Sequence, residues 1–229
     1  MSALASCMFA ASVFSQSSAR KPFIVYQIER MFSETNHTNP ATVLSMYARR
    51  SDGSEVYSFN TSAPNGAIVE MRNVRDLRRN AELILDTSAG TVMTFHYAPG
   101  KLVATLTPYQ RCSSEALSAQ REVILGRTVA VYTESLPELR VTSHLKVALD
   151  LDCYPLYTSD SFASGALNET EVTSVLMVDP PDSLFDAPPD YREVSPSQAD
   201  AEYRKKYPGN SLWSKQFLVT LDQRYYSNR

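Results

Sequence analysis

Apolar and polar positions alternate with period two through most of the chain, the spacing of a pleated strand with one buried face. "PFIVYQIERMF" (residues 22–32) predicts a first strand, and "TVLSMYARRSDGSEVYSFN" predicts two more around a turn at Asp52-Gly53. "GAIVEMRNV" (residues 66–74) adds another, and "AELILDTSAGTVMTFHY" (residues 81–97) a hairpin turning at Ser88-Ala89-Gly90. "KLVATLTPY" reads as a further strand and "SSEALSAQ" as a short helix at most. "EVILGRTVAVYTE" and "RVTSHLKVALDLD" resume the alternation. There Val141, Leu145, Val147 and Leu149 share one face, and Thr142, His144 and Lys146 the other. No helical stripe of three turns stands out after the first residues. The pattern predicts a mainly β protein built on a curved, half-barrel-like antiparallel sheet of meandering strands.

The chain's end is patterned differently. Ser195 can cap a helix, Pro196 suits its first position and Gln198 completes a capping box. "ADAEYRKK" fills two turns with its bases late, and Pro208-Gly209 stops it. "SKQFLVTLDQRYY" then reads as a terminal strand or apolar arm, with Phe217, Val219 and Leu221 on one face. Between sheet and helix, a strand over residues 171–178 runs into prolines that cannot donate to a ladder. We expect the chain to leave across a sheet edge here, with Leu184 and Phe185 turned inward as a plug and Tyr191 packing back. The other reading is a calcium loop from Asp179, Asp182, Asp186 and Asp190, but these acids are irregularly spaced and lack the glycine of such loops.

The N-terminus bears on location. Residues 3–14, "ALASCMFAASVF", form an apolar run too short to span a bilayer but of signal-peptide length, although no basic segment precedes it. Val13 and Ser15 stand at the −3 and −1 positions of a cut before Gln16. The expected organisation is a signal peptide over 1–15, a β domain over 20–194 and a helix with a strand or arm over 195–229. A buried N-terminal helix is the alternative. Cleavage would remove Cys7 and leave Cys112 and Cys153, an even pair that export would join as a disulfide. Both sit in polar surroundings in the sequence, and two thiols in an unexported chain remain the other reading.

Charge and motifs narrow the function classes. With 22 basic and 25 acidic residues, net −3, the chain has no pull toward nucleic acid or anionic lipid. It carries no nucleophile elbow, zinc-protease helix, phosphate loop or Cys-x-x-Cys, so no catalytic, cofactor or metal residue is assigned. His37, His96 and His144 are far apart, and the last two read as solvated strand residues. "RDLRR" (residues 75–79) reads as a solvated turn between strands rather than an anion site.

The order of three segments, "ILGRTVAVY", "VALDLDCYPLY" and "EVTSVLMVDPPDSLFDAPPDYREV", resembles the C-terminal half of the lipoprotein-carrier-like (LolA-like) periplasmic β-sheet superfamily. The resemblance spans residues 122–194, and Asp152-Cys153-Tyr154 stands where that superfamily carries Gly-Leu. It implies an exported, periplasmic or extracellular protein without a transmembrane helix in its mature chain. Two functions fit: a non-enzymatic protein binding an apolar or lipid-like ligand in the concavity of a curved sheet, or a cell-envelope structural module that docks a protein partner.

Overall fold

The computed structural model describes residues 20–62, 65–98, 102, 114–137, 140–211 and 214–227. Residues 1–15, "KLVATLTPY" apart from Leu102, and Cys112 lie outside them.

Two meanders make one curved sheet. The first comprises β1 (Phe23–Ser33), β2 (Asn36–Arg49), β3 (Glu55–Ser62), β4 (Ile68–Asp76), β5 (Ala81–Asp86) and β6 (Thr91–His96). After helix α1 (Ser114–Ser118) come β7 (Gln120–Ile124), β8 (Arg127–Leu136), β9 (Val141–Ala148), β10 (Tyr154–Phe162) and β11 (Leu167–Leu176). The meanders join antiparallel along β1 and β11, with Ile24 opposite Leu176 and Phe32 opposite Leu167. A short β12 (Arg192–Glu193) pairs parallel with β6, so the order is β12-β6-β5-β4-β3-β2-β1-β11-β10-β9-β8-β7. The Asp52-Gly53 turn closes through Gly53 N–H to the Arg50 carbonyl (3.0 Å), with Ser54 N–H on the Asp52 carboxylate (2.8 Å). Gly53 has φ +88°, a backbone conformation that favours glycine, and a Cβ there would also crowd Leu77 Cδ1 at 3.3 Å. In β9 the expected faces hold: Val141, Leu145 and Val147 are buried, Thr142 and His144 exposed and Lys146 half-buried.

The proline-rich connector takes a route the sequence did not disclose. It was expected to cross a sheet edge, but β11 is a central strand. The chain therefore crosses a face of the first meander, from β11 to β6. On that connector face, alternate positions of β1–β6 supply Ile24, Ala48, Val56, Val74, Leu83, Leu85 and Val92, and Phe185 closes over them, fully buried. Leu184 and Tyr191 pack beside it, as the plug reading requires. The Arg50 guanidinium lies 3.6 Å over the Phe185 ring and is itself 3% exposed. It bonds Asp182, while Arg79 donates to the Phe185 carbonyl (2.7 Å) and pairs with Asp186 (2.8 Å). The "RDLRR" turn is thus a turn between strands, but its Arg78 and Arg79 reach the connector at Asp182, the Phe185 carbonyl and Asp186.

The opposite, helix face carries α2 (Pro196–Lys206) and α3 (Lys215–Ser227). The capping box forms as expected, with Gln198 N–H on Ser195 Oγ (3.2 Å) and Ser195 N–H on Gln198 Oε1 (2.8 Å). The expected terminal strand or arm is instead α3. The sequence spacing of Phe217, Val219 and Leu221 fits a strand, yet the chain buries Leu221 and Tyr225, one helical turn apart, and exposes Val219. A short apolar run satisfies either period, and packing on the sheet selects the helical one. Leu221 and Tyr225 meet Met93, Phe95, Val194 and Ala199, while Tyr203 and Tyr207 lie over Val69 and Met71. Arg224 ties α3 down by donating to Glu82 (2.7 Å) from above the Phe95 ring.

Candidate functional site

The helices cover β4–β6 on their face. Toward β1–β3 the same face carries a different population, set by strand parity. From β1 come Phe23, Val25, Gln27 and Glu29; from β2, Ser45, Tyr47 and Arg49; from β3, Glu55, Tyr57 and Phe59. Gln27 and Glu29 continue the alternation that buries Phe23 and Val25, so the strand geometry places amide and carboxylate on an apolar face. Such groups persist there only when hydrogen-bonded.

They are bonded. Glu29 Oε1 accepts from Ser45 Oγ (2.6 Å), Gln27 Nε2 (3.2 Å) and the Tyr57 hydroxyl. Tyr154 donates to Gln27 Oε1 (3.0 Å), fixing its amide orientation, and Tyr47 donates to Glu55 Oε1 (2.7 Å). The rings form a continuous floor: Tyr47 stacks on Tyr154 at 4.8 Å between centroids, Phe23 meets Tyr154 edge-on at 5.3 Å, and Tyr57 stacks on Phe59 at 5.4 Å. Arg49 closes one end, 4.7 Å over Phe23, bonded to Asp152 (2.7 Å) and the Lys21 carbonyl (3.1 Å). Tyr47 and Tyr154 are buried, while Glu29, Tyr57 and Phe59 are half-buried.

The electrostatics keep the phenols of the floor protonated. Burial pushes the Tyr47 and Tyr154 phenols well above their ordinary range, helped at Tyr47 by Glu55. Burial and then the bonded Glu29 carboxylate do the same to Tyr57. Each phenol keeps its proton at neutral pH and acts as a fixed donor. The histidines lie elsewhere: His96 is exposed at the end of β6, and exposed His144 meets Thr133 Oγ1 at 2.8 Å. The side chain of His37 lies outside the described residues. Among the described residues no cluster of three or more His, Cys, Asp or Glu is placed to hold a metal ion. Asp179, Asp182, Asp186 and Asp190 do not converge, and two of them serve the connector clasp.

Of the expected disulfide pair, Cys153 is 2% exposed, packed with Ala116, Leu145 and Val147, where its sequence neighbours suggested a polar surface. Asp152 and Cys153 take consecutive left-handed conformations (φ 55° and 59°), which turn the Cys153 side chain inward and send the Asp152 carboxylate to Arg49. Sequence reading missed the floor itself. Its one available signal was Gln27 and Glu29 standing in phase with the apolar residues of β1.

No family model matches the chain, and no curated protein matches it. Among solved structures it is similar to PNGF-II (14% identity, TM-score 0.41, 76% of this chain and 31% of that one). It is similar too to a LolA superfamily protein from Nitrosomonas europaea (12%, 0.35, 74% and 93%). MucB also matches (14%, 0.36, 78% and 61%). The chain spans about a third of the length of PNGF-II. These likenesses, at 12–14% identity and TM-scores below 0.5, assign no family and no activity.

Proposed function

We propose that this chain is a non-enzymatic, extracytoplasmic binding protein that holds an apolar or lipid-like ligand against the strip of the helix face where Met31, Val43, Tyr57 and Phe59 stay partly open, beside the core that Phe23, Val25, Tyr47 and Tyr154 close with Leu151, Leu156 and Val172. The observation that carries this reading is the half-buried wall of Tyr57 and Phe59 over a fully bonded tyrosine floor. A closed core would bury these rings fully, and paired rings left partly open offer an apolar contact surface. Fixed phenol donors suit holding a ligand in one orientation. The expected signal peptide over 1–15, with cleavage before Gln16, belongs to the same reading, as does a β domain over 20–194 followed by a helical C-terminal unit.

A second reading rests on the other face. Tyr26, Leu44 and Leu176 share the connector face beside the plug, each 45–58% exposed, and Met177 and Val178 extend the patch. Such a contiguous apolar surface fits docking to an envelope protein. Native mass spectrometry of the protein purified from its own host separates the two. A mature N-terminus at Gln16 with a co-purified lipid mass supports the first. A ligand-free mass, with a specific partner lost on Leu44→Asp, supports the second, and retention of Met1 in the cytoplasm refutes export.

A further inference from the structure

The binding-face reading leaves the head group of the ligand open, and the hydrogen bonding of Glu29 addresses it. All three donors, from Gln27, Ser45 and Tyr57, converge on Oε1. They hold the carboxylate in one orientation, and Oε2 accepts from no described residue. Glu29 makes no ion pair among the described residues, although its neighbour Arg30 does, with Glu171 (3.0 Å) across β11. The guanidinium at the other end of this floor, Arg49, is committed to Asp152 and the Lys21 carbonyl. Beside the carboxylate stands the Tyr57–Phe59 pair, whose ring faces attract cations. Val43, opposite Glu29, is half-buried, and Met31, two positions along β1, is 42% exposed on the same face. A fixed carboxylate with one open oxygen, an aromatic wall and an apolar lane leading away is complementary to a positive head on an alkyl chain. A carboxylate or phosphate head would meet like charge there.

We propose that Glu29, walled by Tyr57 and Phe59, receives the ammonium head of a cationic amphiphile whose chain lies along the partly open strip of that face marked by Val43 and Met31. This rests on the binding-face reading above. The test is calorimetric titration of the full chain at neutral pH with decylamine, decan-1-ol and decanoate, each below its aggregation concentration. Decylamine should bind about tenfold or more tightly than decan-1-ol, the worth of one charge-assisted hydrogen bond. Decanoate should bind more weakly than the alcohol. Glu29→Gln keeps the size of the side chain and an oxygen for Ser45 and Tyr57, so it should erase the preference of amine over alcohol. Should that variant not fold, the ranking of the three probes on the native sequence decides. Equal binding of amine and alcohol, tightest binding of decanoate, or an amine preference that survives Glu29→Gln overturns the head-group assignment while the binding face stands. Binding of none of the three overturns both.

Discussion

Replacing Phe185 by alanine tests whether the connector is a clasped plug or a strap lying loosely on the sheet. The ring is fully buried against Ile24, Val56, Leu83 and Leu85, with Arg50 3.6 Å from its centroid. Returning a phenyl group of this burial to water is worth about 1.5–3 kcal/mol, and the guanidinium contact about 1 kcal/mol more. The cavity cannot collapse readily, because the walls belong to hydrogen-bonded strands and the connector is held at both sides by Arg50 and Arg79. The expected loss is therefore about 3–5 kcal/mol, or roughly 6–20 °C in Tm for a chain of this size. Urea and thermal melts followed by circular dichroism measure it. The flanking acids calibrate the result. Asp186 is half exposed and pairs with an exposed arginine, so Asp186→Ala should cost less than about 1 kcal/mol. Asp182 is itself exposed but neutralises the buried Arg50, so Asp182→Ala should fall between the other two, at about 1–3 kcal/mol. Chelator should change none of these melts. A Phe185→Ala melt that overlays the parent, or one less damaging than Asp186→Ala, would refute the plug.

Alkaline titration reads the tyrosine floor. The folded-state values of Tyr47, Tyr57 and Tyr154 are raised, so their stabilising contribution is complete below pH about 10 and declines as pH rises above it. Among the thirteen tyrosines, these should ionise at 295 nm only together with the loss of far-ultraviolet dichroism, and early ionisation of all thirteen in folded protein would contradict the burial argument. We further predict a Cys112–Cys153 disulfide: Cys153 packs against Ala116, four positions after Cys112, and the bond would add ~3–4 kcal/mol by closing its loop. Non-reducing peptide mapping of protein from an oxidising compartment should return the linked peptide, and two alkylatable thiols would end that assignment.

Much of the strand content was legible because it is local. Period-two alternation locates β1 to β6 and β8 and β9, Asp52-Gly53 announces its turn, and Ser195 with Gln198 announces α2. What was not legible depends on distant partners. Nothing in the sequence around Leu176 says that β11 pairs with β1, and without that pairing the connector seemed to leave by an edge. The arginines of residues 75–79 look solvated until Asp182 and Asp186 arrive from a hundred positions away. The α3 segment fails for another reason: its apolar residues fit two periods, and only Met93 and Phe95 beneath it decide. The floor was half visible, since Gln27 and Glu29 stand in the buried phase of β1, but Tyr57 and Tyr154 look like ordinary strand tyrosines until their hydroxyls find that amide and carboxylate.

The seam between the meanders has a kinetic consequence. Within each meander every strand pairs with its sequence neighbour, so both can form soon after their residues are available. The β1–β11 ladder instead joins Ile24 to Leu176 across most of the chain, and loop closure must be met before any of its bonds repay it. Until that zipper closes, β1 and β11 are both bare edges, the geometry that invites pairing with a neighbouring chain. The connector follows β11 directly, so its clasp onto Arg50 and Arg79 cannot precede the zipper by much. Folding yield should then depend on how long the first meander waits with an open edge, and a chain emerging N-terminus first waits longest.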